Sequence, residues 1–106
     1  MELKMKTGTY VGTGSAVTIQ NCNFRPRYIK VVDETDGTVA FEYIGGSSPG
    51  ESLAAGSAYE TNTSGANQTN LSIISSNGFT VGTMGFTVGS SLSTSGKTYR
   101  WVAFGY

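Results

Sequence analysis

The sequence predicts an all-β fold: a single-domain antiparallel β-sandwich, jelly-roll-like, of about eight short strands. Two observations carry the prediction. No run of ten or more residues places apolar side chains at helical spacing, whereas short β-branched and aromatic runs recur between Gly, Asn and Ser. Of the 106 residues, 42 are Ser, Thr or Gly and only 14 are charged, a composition of strands and turns rather than of solvated helices. The length suits one domain spanning 1–106, with an N-terminal arm over 1–6 and a long polar loop over 45–70.

The expected strands are 7–11, 16–20, 28–33, 39–44, 71–75, 79–81, 86–88 and 99–104. Pro26 suits a position just before the third, where its missing N–H costs no ladder bond. Asp36-Gly37 tolerates positive φ, so 28–44 is the clearest hairpin. On its return strand Val39, Phe41 and Tyr43 share one face and Ala40, Glu42 and Ile44 the other, and both faces carry apolar bulk. From 45 to 70 the alternation dissolves; so long a loop is a binding arm or hides a strand, for which 53–59 is the place. Gly78-Phe79-Thr80-Val81-Gly82 recurs as Gly85-Phe86-Thr87-Val88-Gly89, two strands joined either by a tight turn or by a bulged bend. In the last strand Trp101 shares a face with Tyr99 and Ala103, and Phe104 takes the opposite one; both Trp101 and Phe104 are expected in the core, with one of these faces a candidate for meeting a neighbouring subunit.

Seven basic and seven acidic residues give zero formal charge without a local basic cluster, which speaks against nucleic acid and leaves little to oppose self-association. No stretch has the roughly 18 apolar residues of a membrane helix, and no signal peptide opens the chain, so synthesis in a cytoplasm is expected. The absence of His removes the usual general base and metal ligand, so no enzyme, metal or cofactor is expected. Asp33, Glu34 and Asp36 crowd one turn, which a solvated hairpin tip explains better than calcium. Cys22 reads as a small buried thiol. From residue 61 to residue 96 there is no charge, which suits contact with a protein or a sugar. Tyr59, with Asn62, Asn67 and Gln68, offers an aromatic platform and amide donors; Leu3, Lys4 and Met5 offer a strand-like clasp.

Thr7-Gly8-Thr9-Tyr10-Val11-Gly12, Asn23-Phe24-Arg25-Pro26, Asn77-Gly78-Phe79 and Gly96-Lys97-Thr98-Tyr99-Arg100-Trp101-Val102-Ala103-Phe104 together resemble a small β domain of tailed-phage virion proteins. A Gly-x-Tyr-x-Gly opening, a Gly-Phe-x-Pro step, a second Gly-Phe strand and a closing Gly-x-x-Tyr strand ending in Val/Ala-Phe recur there; Asn23 replaces the first Gly of the Gly-Phe-x-Pro step. These motifs are turn glycines and core aromatics, so they speak for architecture more than for one role. The resemblance implies a bacteriophage structural protein. With a Met1 start and no fibrous stalk, a capsid decoration or cement protein is expected, a homotrimer binding the major capsid protein on the virion surface. The alternative is a receptor- or carbohydrate-binding module of a tail fibre or spike.

Overall fold

The computed structural model describes residues 3–45, 55–63 and 69–105. Eight antiparallel strands form: β1 (Lys4–Val11), β2 (Val17–Ile19), β3 (Pro26–Asp33), β4 (Val39–Ile44), β5 (Ser57–Thr63), β6 (Thr69–Val81), β7 (Phe86–Val88) and β8 (Thr98–Gly105). The all-β class therefore holds. All eight strands share one sheet, in the order β1-β8-β3-β4-β5-β6-β7-β2, instead of the two stacked sheets of a sandwich. The sheet curls until β7 and β8 face each other across the interior, so one sheet encloses the core that two were expected to enclose.

That interior is aromatic. Tyr43 meets Phe79 edge-on with centroids 6.3 Å apart, Phe79 meets Phe86 at 6.1 Å, and Phe86 meets Trp101 at 5.2 Å. Such edge-to-face rings gain quadrupole attraction beyond their buried area. Tyr10 stacks on Tyr99 at 5.0 Å, and its buried hydroxyl donates to the Leu92 carbonyl oxygen at 2.7 Å, which ties β1 to the 3-10 turn at Ser90–Leu92. Cys22 is buried, as its sequence neighbourhood suggested, and burial pushes its thiol up.

The twin pentapeptides are the two arms of a hairpin: Phe79 pairs with Val88, Thr80 with Thr87 and Val81 with Phe86. Glycines close both ends, Gly82 N–H donating to Gly85 and Gly89 N–H to Gly78, each at 2.8 Å. Asp36-Gly37 turns the β3–β4 hairpin, with Gly37 at φ 71°.

Three expectations are corrected. The 45–70 loop contains β5, which lies between β4 and β6, and the first residues of β6; a hidden strand near 53–59 was half right, since β5 begins at Ser57. The strands at 71–75 and 79–81 are one bent strand: Asn77 at φ 57° and Gly78 carry a bulge, so that Ser57 pairs with Phe79 while Ala58 pairs with Ile74. The first strand starts earlier than the expected 7–11: Lys4, Met5 and Lys6 are in β1 and pair with β8.

Candidate partner-binding surface

Successive side chains of a strand point to opposite sheet faces, and directly opposed residues share one face. The strand registers therefore map the outside of the sheet. One row across four strands is Met5, Phe104, Tyr28 and Ile44. The next is Thr7, Val102, Lys30 and Glu42, continued by Tyr59 and Ile73. The third is Thr9, Arg100, Val32 and Ala40, continued by Thr61 and Leu71. Met5 is 60% exposed and Ile44 51%, while Phe104 and Tyr28 are half-buried between them, their rings tilted at 6.1 Å. Phe104 is thus not in the core; the strand alternation that sends Trp101 inward sends Phe104 out.

The Tyr28 hydroxyl donates to Glu42 Oε2 across β3 and β4, and burial together with this bond pushes the Tyr28 phenol up to about 12. Burial pushes the Tyr10 phenol up as well, helped by Tyr99. Both tyrosines hold their proton more tightly folded than unfolded. Their contribution is fully present below the unfolded value near 10 and is lost as pH rises through the folded values. The urea midpoint should therefore fall steadily between pH 10 and 12, and Tyr28→Phe should flatten that fall; an equal fall in the variant assigns it elsewhere.

The acidic turn is occupied by structure. Asp33 is buried, and its Oδ1 accepts from the N–H groups of Thr35 at 3.0 Å and Asp36 at 3.1 Å. Lys97 bonds Asp36 and lies 3.5 Å from Asp33, holding the Asp36 carboxyl below its ordinary range, while Arg100 meets Glu34 at 2.9 Å. Among the described residues no three His, Cys, Asp or Glu side chains gather to hold a metal ion. Two shallow grooves flank β2. One, of about 320 Å³, separates it from β1 and reaches Trp101; the other, of about 250 Å³, runs beside Thr83, Met84 and Thr87. Their linings contain no carboxylate and no thiol. No helix among the described residues is long and apolar enough to cross a membrane.

The residues singled out from sequence do not form one cluster. Leu3, Lys4 and Met5 are exposed at the β1 edge. Tyr59, half-buried, lies four strands away, about 19 Å across the sheet at the usual strand spacing. Tyr59 and Asn62 are three apart in β5 and so face opposite sides; Asn62 sits on the inner face, opposed to Val39 and Asn70. Asn67 and Gln68 lie outside the described residues. Not singled out by residue as partner-binding from the sequence were Leu71 and Ile73 on the outer face of β6 and the half-buried pair Tyr28 and Phe104, the last of these expected in the core. The alternation Leu71-Ser72-Ile73 was the available signal, but it does not say which face is inside. No family model, no curated protein and no solved structure matches the chain.

Proposed function

We propose that the protein is a non-enzymatic structural component of a phage virion that binds the outer capsid surface through this sheet face. The observation that carries the reading is the row Met5, Phe104, Tyr28 and Ile44, an apolar band across four adjacent strands with two of its members more than half exposed. Contiguous exposed apolar patches of this kind mark contact sites with other macromolecules. The motif resemblance supplies the virion, and the major capsid protein is the abundant partner such a face would meet. Met5, with Leu3 and Lys4 beside it, makes β1 one border of the contact. The sugar-platform alternative is weaker, because Tyr59 and Asn62 are on opposite faces.

The test is occupancy on particles of the phage that encodes the chain. Met5→Glu with Ile44→Glu changes two exposed side chains, so the melting temperature should hold, while affinity for the shell should drop by about tenfold or more. Unchanged occupancy overturns the assignment, and imaging that finds the chain only on the tail overturns the capsid reading.

A further inference from the structure

A sheet meets other chains most readily at its edges, where backbone donors and acceptors are unpaired, and natural edges are guarded by charge, shortness or bulges. Among the described residues this sheet has three edges. β1 carries Lys4 and Lys6, and β2 is three residues long. The first half of β6 has neither protection. Over 71–74 its ladder is with β5, because β7 joins β6 only from Phe79 to Val81; among the described residues no strand pairs with the other side there. The run Leu71-Ser72-Ile73-Ile74 has no charge and no Pro, and it exposes 72% of Leu71 and 62% of Ile73 on one face.

We propose that this edge pairs with the same edge of a second copy of the chain, antiparallel about a two-fold axis through Ser72. The sequence of the edge is its own complement. Centred on Ser72, Leu71 lies opposite Ile73 of the second copy and Ile73 opposite its Leu71, all four on the outer face. Centred on Ile73, Leu71 would meet a serine. A partner of another kind would have to match an uncharged, alternating aliphatic strand, and the chain already carries one in the correct register. Cross-strand aliphatic pairs and a backbone ladder form together, with no like charges opposed. The bulge over 75–78 ends the pairing on one side. Such a contact is isologous and uses up the edge that makes it, so it closes as a dimer. A trimer, expected from the resemblance, would need two different complementary patches.

The full-length chain should sediment as a dimer at micromolar concentration. Leu71→Lys with Ile73→Lys sets lysine opposite lysine twice and should raise the dissociation constant by about 100-fold; Leu71→Glu with Ile73→Glu should do the same with carboxylates. An equimolar mixture of the two variants should recover the dimer, because each lysine then faces a glutamate. Independently, Ser72→Cys puts two thiols directly opposite each other, about 5 Å apart at Cβ and close to disulfide reach. It should cross-link on mild oxidation, whereas Ser75→Cys should not. The buried Cys22 adds little background. A monomer or a trimer, a dimer indifferent to the lysines, a mixture that stays monomeric, or cross-linking of Ser75→Cys as efficient as that of Ser72→Cys would each overturn the proposal.

Discussion

Trp101→Ala should destabilise the protein by about 3–5 kcal/mol, the cost of removing a large buried aromatic. The indole is 3% exposed, meets Phe86 edge-on at 5.2 Å, and ends the run of rings from Tyr43 through Phe79 and Phe86. Its other side lies against the backbone of β1, where Gly8 is its direct cross-strand partner. A Cβ built on Gly8 would stand 2.8 Å from the indole Cζ2 and 2.9 Å from its Nε1, so that strand can pass the ring only because it has no side chain there. Gly8→Ala should therefore destabilise by about 1–3 kcal/mol through overpacking. The two substitutions are not independent. Once Trp101 is gone, the methyl at position 8 meets the cavity instead of the ring, so Gly8→Ala should cost far less in the Trp101→Ala background. A double-mutant cycle by urea denaturation measures the difference. Additive costs would mean that Gly8 matters for its backbone conformation and not for the room it gives the indole.

How much of this was legible in the sequence depends on what each feature rests on. The β3–β4 hairpin rests on local chemistry, Asp36-Gly37 between alternating runs, and was read correctly. The inward face of β8 rests on period-two alternation, so Tyr99, Trp101 and Ala103 could be grouped without knowing the sheet. Only the start of strand β5 was legible because its inner face reads Ala58, Glu60 and Asn62: beyond Ala58 it has no apolar stripe, and its neighbours β4 and β6 hold it in place. One curled sheet and two stacked sheets use the same strands and differ only in which strands pair, a property that strand composition does not encode. The candidate surface was least legible. Tyr28, Ile44 and Phe104 are residue types that a core also uses, and Leu71 and Ile73 look like core on alternation alone; only the inward curl of the opposite face turns them outward.

A second close approach lies at the β2 end of the sheet, and Gly85→Ala should cost about 3 kcal/mol, the upper part of the range for overpacking. Gly85 closes the turn between β6 and β7, and a Cβ there would fall inside the contact surface of the Ile19 carbonyl oxygen and 2.8 Å from Gln20 Cα. Both are main-chain atoms, so no rotamer change makes room. Either the turn or the end of β2 must move. Moving β2 strains the three pairs it makes with β7 and loosens the Asn23 N–H to Met84 carbonyl bond at 3.3 Å, which uncovers Phe86 in the middle of the aromatic run. Gly82 is the matched control at the other end of the same turn. A Cβ there would meet only the Gly85 carbonyl oxygen at 3.6 Å, an ordinary contact, so Gly82→Ala should change stability by about 0.5 kcal/mol or less. Amide exchange separates the causes. With Gly85→Ala, protection should fall first at Thr18 and Ile19 while β3 and β8 keep theirs. Equal costs for the two glycines would mean that turn flexibility, and not the approach of β2, is what the position requires.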